Sequence, residues 1–211
     1  RDVKLAESRV KGYKSFTNKL WNASKFLQLN ECKINKNFDI SKIITPINQW
    51  LINELAITKI NIDIYMAKYL FHEVANEIYR FVWHVYCDWY VEFAKSLFND
   101  NSTNSKETKS TAMWALREIL KLSHPVMPFI TEKLWSTLFD NKNFLMSEHF
   151  TKLEIQDNYK KSQDNFKNLI QIITLIRNLR SELNIPYKNT IIVNINNKND
   201  DFIAFINDYK N

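Results

Sequence analysis

The sequence has one glycine, two cysteines and four prolines among 211 residues. Phosphate-binding loops of nucleotide-binding enzymes depend on several glycines, because their backbone approaches the phosphates closely. With Gly12 alone, the chain can form neither a P-loop nor a dinucleotide-binding fingerprint. No apolar run approaches the roughly 20 residues that cross a bilayer, so we expect no membrane segment. Cys32 and Cys87 form no disulfide framework, which predicts a reducing, cytoplasmic location.

Catalytic and metal-binding patterns are also missing from the sequence. His84, Cys87 and Asp88 are spaced so that they could share one helix face. A zinc site usually needs four good ligands, and no second histidine and cysteine pair is present. The dipeptide His72-Glu73 begins a metalloprotease motif, but an asparagine replaces the second histidine of that motif. The sequence therefore predicts no catalytic residue, no metal site and no cofactor in this chain.

Size and composition allow one large domain, or one domain with a small appendage. Apolar residues make up 45% of the chain and charged residues 25%, which is ordinary for a soluble globular protein. The chain starts with Arg1, and its first methionine is Met66. Since a natural polypeptide starts with methionine, we expect this sequence to be a piece of a longer protein.

Positive charge is concentrated at the N-terminal end of the sequence. Residues 1–36 contain nine basic and three acidic side chains, and their net charge of +6 equals that of the whole chain. The remaining residues therefore balance to zero. A clustered excess of this kind is typical of a surface that binds polyanions, whereas a dispersed excess mainly aids solubility.

The spacing of apolar residues predicts a first helix over residues 7–28. One side of this helix carries the expected core positions Val10, Tyr13, Phe16, Leu20, Ala23 and Leu27. The other side carries Lys11, Lys14, Asn18, Trp21, Asn22 and Lys25, with Ser15 and Phe26 at its margin. Lysine neutralises phosphates, asparagine can read base edges and aromatic rings stack on bases, so this stripe is typical of an RNA-binding surface. The alternative is a structural scaffold whose solvated lysine-rich face docks on an acidic protein, with Trp21 packed against a neighbouring helix.

The rest of the sequence predicts a mainly α fold, an antiparallel helical bundle with a small C-terminal α+β appendage. Thr45 and Pro46 predict the N-cap and first residue of a helix that ends near residue 69. Residues 71–98 are apolar on nearly every side and are expected to form the most buried helix. Further predicted elements are a loop at 99–110, helices at 108–123, 128–139 and 160–183, a strand at 191–195 and a short helix at 200–209. The predicted units are a bundle at 1–140, a connector at 141–159 and the appendage at 160–211.

Several blocks of the sequence resemble one family. The segment Arg9–Phe26, RVKGYKSFTNKLWNASKF, resembles the block that opens the anticodon-binding domain of valyl-tRNA synthetases, commonly GYRNFxNKLWNAxRF. Four further blocks follow in the family's order: NQWLINEL from Asn48, YRFVWHVYCDWYVEFAK from Tyr79, HPVMPFITEKLW from His124 and IRNLRSELNIP from Ile176. Synthetases for isoleucine and leucine share the architecture, but CDWY and HPxMPFITExLW resemble the valine type.

The resemblance implies a parent enzyme that activates valine with ATP and Mg²⁺ and joins it to valine tRNA in the cytoplasm, as a monomer. The family's catalytic motifs, His-Ile-Gly-His-like and Lys-Met-Ser-Lys-Ser, do not occur in this sequence, and its inserted editing domain is absent. The C-terminal coiled coil of the family would lie beyond Asn211. The chain itself is therefore expected to bind tRNA and to catalyse nothing.

The resemblance also implies which residues contact the anticodon loop. They are Lys19, Asn22, Lys25 and Phe26, followed by Arg9, Lys14 and Asn18. It assigns stacking on a base to Phe26 and a phosphate contact to Lys25. At positions 14 and 25 this sequence has lysine where the family commonly has arginine, and at position 15 it has serine where the family has asparagine. Lysine keeps the charge but lacks the planar fork with which arginine makes bidentate contacts.

Overall fold

The computed structural model describes residues 7–99, 102–139, 143–186, 188–194 and 200–209. Most of these residues are helical, which confirms the predicted mainly α fold. The helices are α1 (Glu7–Leu29), α2 (Pro46–Ala67), α3 (Phe71–Tyr79), α4 (Val91–Ala94), α5 (Thr103–Ser123), α6 (Pro128–Leu138), α7 (Lys160–Glu182) and α8 (Asp200–Asp208), and a π-helical segment at Arg80–Tyr90 joins α3 to α4. Short 3₁₀ turns lie at Ile40–Lys42, Ser96–Asn99, Leu145–Ser147 and Asp157–Tyr159. Within this part of the chain, no helix is both long and apolar enough to cross a membrane.

Helix α5 is the most buried helix of the bundle. It packs against α1, α2 and α6, and between residues 110 and 123 only Arg117 is not fully buried. The expectation that residues 71–98 would be the most buried is wrong, because that rod has an exposed flank that includes His72 and His84. Several buried polar residues of α5 are small, among them Thr108 and Thr111. The larger buried pair, Glu118 and Lys121, is joined by an ion pair of 3.2 Å.

A carboxylate from α5 caps the start of α2. Thr45 occupies the predicted N-cap position, but its hydroxyl makes no cap hydrogen bond. Instead, Glu107 accepts hydrogen bonds from the backbone N–H groups of Ile44 and Thr45, at 3.1 and 2.9 Å, and from the amide of Asn48 at 3.0 Å. A negative charge at a helix N-terminus is favoured by the helix dipole. The two helices are therefore joined by a tertiary cap.

Three helices end on residues with positive φ that are not glycine. The φ angles are 55° at Glu31 after α1, 56° at Tyr69 after α2 and 52° at Asn184 after α7. In each case the next residue donates its backbone N–H to the carbonyl five residues earlier, as in Cys32 to Leu27 at 3.0 Å. Glycine usually occupies this position, because a side chain there costs roughly 1–2 kcal/mol. A chain with one glycine, which lies elsewhere, sustains this cost at Glu31 and Tyr69.

The segment before α7 is tied to α2 by polar contacts. Asn53 of α2 donates its amide to the carbonyl of Gln156 at 3.0 Å and accepts from the Gln156 N–H at 2.8 Å. The Tyr159 hydroxyl donates to the Ile40 carbonyl at 2.7 Å. Helix α7 itself packs on α2. The division into a bundle, a connector and an appendage stays a prediction.

Two predicted elements differ in the structure. The loop predicted at 99–110 is shorter, since α5 begins at Thr103 and the Ser102 hydroxyl caps it by accepting from the Ser105 N–H at 3.0 Å. The predicted strand is wrong over its described part, because residues 191–194 have no regular structure. Alternating apolar residues form a strand only when a neighbouring strand completes the hydrogen bonds, and none is present among the described residues. Ile195 lies outside the described residues.

Candidate nucleic-acid interface

Helix α1 turns one polar face away from the bundle. Its inner side buries Phe16, Leu20, Ala23 and Leu27, as the apolar spacing predicted. The outward face carries five exposed side chains in successive turns: Lys11, Lys14, Asn18, Asn22 and Lys25. The outward face is therefore open to a ligand along its length.

Two residues near the start of α1 need separate mention. Tyr13 was expected in the core but is 68% exposed, because the buried contacts of α1 begin one turn later, at Phe16. Arg9 lies within α1, and its side chain is outside the described part of the structure. The predicted contact of Arg9 with RNA stays a prediction.

The π-helical segment holds one edge of α1. Phe16 stacks on the ring of Tyr79, with centroids 5.2 Å apart, and on Trp83 at 6.4 Å. One turn along α1, the Lys19 ammonium lies 3.9 Å from the centre of the Trp83 ring and forms an ion pair with Asp88. These contacts fix both the position and the rotation of α1 on the bundle.

The π-helical geometry explains how one lysine reaches both partners. Trp83 and Asp88 are five residues apart, a spacing that points to different sides of an α-helix. In this segment hydrogen bonds run over five residues, as in the bond from the Val91 N–H to the Tyr86 carbonyl, and the wider turn brings the pair together. Asp88 also lies 3.3 Å from Nδ1 of His84, so one carboxylate faces two basic groups.

Lys19 is accordingly engaged within the protein. Its side chain is 26% exposed, and its ammonium has an aromatic face on one side and a carboxylate on the other. Sequence reasoning placed Lys19 among the RNA contacts and missed Trp83 and Asp88. The partner carboxylate is 69 residues away. Its approach depends on the π-helical turn, which no pattern in the sequence indicates.

Phe26 is half-buried at the C-terminal end of α1. Its ring centroid lies 6.0 Å from that of Phe98, in the 3₁₀ turn that follows α4. The ammonium of Lys95 lies 5.7 Å from the Phe26 ring and is paired with Glu92 at 2.6 Å. The structure thus adds Lys95, a cation not selected from the sequence, to the neighbourhood of the predicted stacking residue.

The other predicted RNA contacts that the structure describes, Lys14, Asn18, Asn22 and Lys25, are exposed. Lys25 donates to the side chain of Gln28 at 3.1 Å and lies 5.8 Å from the ring of the partly buried Trp21. Among the described residues, the side chains of Lys14, Asn18 and Asn22 have no hydrogen-bond or ion-pair partner. The two unpaired amides can bind base edges, and the two exposed cations on either side of them can bind phosphates.

The histidine, cysteine and aspartate considered from the sequence do not form a reactive thiol. Cys87 is buried, and burial raises the pKa of its thiol to about 12. The thiol form therefore dominates at neutral pH, whereas metal binding and nucleophilic attack require the thiolate. The described residues contain no group of three or more histidine, cysteine or acidic side chains that could hold a metal.

Most of the chain that follows α1 matches the model of a known protein family. The family described as "Anticodon-binding domain of tRNA ligase" matches residues 48–195, which is well over half of the chain. The chain therefore belongs to the anticodon-binding domains of tRNA ligases. The matched range covers α2 to α7 and excludes α1, so the assignment of the α1 face depends on its own chemistry.

The individual relatives compared with the chain are all valine–tRNA ligases. The chain is 41% identical over 191 residues to a valine–tRNA ligase of Caulobacter vibrioides. The aligned region covers 88% of this chain and 21% of that protein. It is 49% identical over 136 residues to the valine–tRNA ligase of Bradyrhizobium diazoefficiens, over 64% of this chain and 14% of the relative. With the Pelagibacter ubique enzyme it shares 37% over 198 residues, 92% of this chain and 22% of the relative. The matched region thus spans about a fifth of the first and third of these relatives and about a seventh of the second.

Proposed function

We propose that this chain binds the anticodon stem-loop of valine tRNA through the outward face of α1. The row of exposed cations and unpaired amides supports this most directly (Lys14, Asn18, Asn22 and Lys25). Membership in the anticodon-binding family supports the ligand class, and the likeness to valine–tRNA ligases supports the choice of valine tRNA.

In this proposal, residue types divide the work of recognition. Lys14 and Lys25 neutralise phosphates, and a lysine does so without reading sequence. Asn18 and Asn22 supply the donors and acceptors that can distinguish bases of an unpaired loop. Phe26 offers the exposed part of its ring for stacking on a base, and Phe98 packs against it from within the bundle. Arg9 would contribute a further phosphate contact.

Lys19 fits this scheme with a second duty. Its ammonium is held between Trp83 and Asp88, so it would present only part of its charge to RNA. We infer that Lys19 contributes to binding chiefly by fixing the rotation of α1, which sets the direction in which Asn22 and Lys25 point.

We further infer that the chain serves a monomeric, cytoplasmic enzyme that joins valine to tRNA with ATP and Mg²⁺. The chemistry of that reaction lies outside this chain, since the sequence carries neither of the two catalytic motifs that such an enzyme uses. Within the whole enzyme, the bundle would hold the anticodon at a fixed distance and orientation from the site where the other end of the tRNA reacts.

Titration of the chain with anticodon stem-loops tests the proposal. We expect the valine stem-loop to bind more tightly than stem-loops with other anticodons. Binding should weaken with salt at a log–log slope of about −0.7 for each single-strand phosphate that is neutralised. Equal affinity for all stem-loops would remove the valine assignment, and absence of binding at low salt would remove the function.

Lys25→Glu separates phosphate contact from base reading. We expect it to lower affinity by about tenfold for valine and non-valine stem-loops alike, because a phosphate contact carries no sequence information. Asn22→Ala should instead lower affinity mainly for the valine stem-loop, by on the order of 1–3 kcal/mol. A loss restricted to the valine stem-loop in Lys25→Glu would make Lys25 a base-reading residue.

The second candidate function is a scaffold that docks its basic helix on an acidic protein. It differs in what the amides are for, because Asn18 and Asn22 have no special role against a carboxylate surface. If Asn22→Ala leaves stem-loop affinity unchanged while Lys25→Glu abolishes it, the general polyanion interpretation is favoured over anticodon reading.

A further inference from the structure

A second concave surface lies beyond the C-terminal end of α1. The loop that follows α1 and the first turns of α5 line an open cavity of about 460 Å³. Its lining includes Asn35, Lys36, Asn37, Phe38 and Lys106. Cavities of roughly 300–1,000 Å³ accommodate small organic ligands, so this one is large enough for a nucleotide.

The cavity belongs to the same end of the bundle as Phe26. The loop leaves α1 only four residues after Phe26, and Ser110 of α5 anchors it by donating its hydroxyl to the Lys33 carbonyl at 3.0 Å. Phe98, which packs against Phe26, lies in the 3₁₀ turn that contacts α5. The cavity is therefore close to the C-terminal end of α1, where the predicted stacking residue Phe26 lies.

The floor of the cavity is apolar and fixed. The half-buried Phe38 packs against Trp114, with ring centroids 5.8 Å apart, and Ile43 beside it is buried. An aromatic ring held in this way provides a surface on which a base can stack. Paired bases of an RNA stem are stacked on one another and cannot enter such a cavity, whereas an unpaired base can.

The rim of the cavity carries a small positive excess, because its three lysines, Lys36, Lys42 and Lys106, outnumber its two acidic residues. Lys42 is paired with Asp39 at 3.3 Å. Asp39 accepts from the backbone N–H and the hydroxyl of Ser41, at 3.0 and 2.7 Å, and these bonds lower the pKa of its carboxyl group. Glu107 is occupied in capping α2. Lys36 and Lys106 are exposed and have no acidic partner among the described residues.

We propose that this cavity is a second RNA subsite that holds one unpaired nucleotide of the stem-loop bound on α1. Lys36 and Lys106 meet its phosphate, Phe38 supports its base or sugar, and the exposed amides of Asn35 and Asn37 bind the base edge. This inference rests on the proposed function of α1, but it concerns residues that the α1 stripe does not contain.

The test is a paired charge reversal, Lys36→Glu with Lys106→Glu, measured against Lys160→Glu with Lys167→Glu. All four lysines are exposed, and the control pair lies on α7, which packs on α2. Both double variants change the net charge equally. We expect the cavity variant to lose at least tenfold in affinity for the valine stem-loop, and its salt slope to become shallower by about 0.7 for each phosphate contact that is lost. The control should lose less than threefold.

A fully paired RNA duplex of equal phosphate count distinguishes a nucleotide site from a general phosphate surface. The cavity variant should bind this duplex about as well as the control variant does. An equal loss on duplex and stem-loop would overturn the claim that an unpaired nucleotide enters. A measurement on the unchanged chain adds independent support: the side-chain amide NMR signals of Asn35 and Asn37 should shift with the stem-loop and not with the duplex.

The outcomes separate this inference from the proposed function. If the stem-loop binds, Asn22→Ala weakens it, and the cavity variant behaves like the control, the subsite is wrong and the α1 interface stands. If the unchanged chain binds no stem-loop, both proposals fail.

Discussion

Two polar sides of α1 differ in what their residues contact: the docked edge, which adjoins the buried stripe, and the outward face, which lies opposite that stripe. On the docked edge, Lys19 and Phe26 contact the π-helical segment and the turn at Phe98. On the outward face, Asn18 and Asn22 have no side-chain partner in the described structure. Residues 18–26 of α1 thus contain both the side chains that anchor the helix and the side chains that remain exposed. We expect docked-edge substitutions to change stability first, and outward-face substitutions to change affinity alone.

Phe16→Ala should break the docked edge with the largest effect. Phe16 is buried and stacks on Tyr79 and Trp83, so its removal leaves a cavity beside these two rings. We expect a loss of about 3 kcal/mol or more in the free energy of unfolding, measured by urea denaturation. Stem-loop affinity should fall as well, because the rotation of α1 is no longer fixed. Asn18→Ala is the matched control on the outward face and should leave stability within about 0.5 kcal/mol.

Phe26→Ala should have an intermediate effect on stability. Because the ring is half-buried against Phe98, truncation removes packing as well as a stacking surface for RNA. We expect a loss of about 1–2 kcal/mol in unfolding free energy, together with weaker stem-loop binding. Phe26→Leu is the control: it keeps most of the apolar contact and loses the ring. If Phe26→Leu binds RNA normally, Phe26 serves packing only.

The division between the two sides could be predicted from the sequence only in part. Apolar spacing correctly placed Phe16 and Leu27 in the core and the amides on the outward face, because helical periodicity is a local property. It could not predict that Lys19 contacts Asp88, since that contact requires a non-local approach and a π-helical turn. The capping of α2 by Glu107 could not be predicted from the sequence for the same reason, because Glu107 lies 62 residues from Thr45.

Tyr13 and the predicted strand show the limit from the opposite direction. In both cases the spacing of apolar residues is the one expected for the predicted element. Among the described residues, however, no element covers Tyr13 and no strand pairs with residues 191–194. A periodic apolar position becomes core only when another element covers it, and an alternating segment becomes a strand only beside another strand. The candidate RNA residues stay predictions because exposure shows access and not use.

Lys19→Met should have a smaller effect on stability than either phenylalanine substitution. It removes the ion pair with Asp88 and the contact with Trp83, and each of these is worth on the order of 0.5–1 kcal/mol at a partly exposed site. We expect thermal unfolding to show a net loss of about 1 kcal/mol. Asp88→Asn removes the carboxylate and leaves the lysine, so it tests whether Lys19 binds RNA itself. If the freed lysine is an RNA contact, affinity should rise in Asp88→Asn; if it is an anchor, affinity should fall slightly.

Glu31→Gly should give the smallest effect, and its sign is opposite. Glu31 ends α1 at a φ of 55°, where a side chain costs roughly 1–2 kcal/mol and glycine costs less. Part of this gain is offset because glycine makes the unfolded chain more flexible, so we expect a net stabilisation of about 0.5 kcal/mol. Glu31→Gln is the matched control, since it removes the same charge and keeps the unfavourable backbone. Both variants should raise stem-loop affinity slightly and equally through the lost negative charge, while only glycine should raise the melting temperature. Equal melting temperatures would show that the backbone at the end of α1 is not strained.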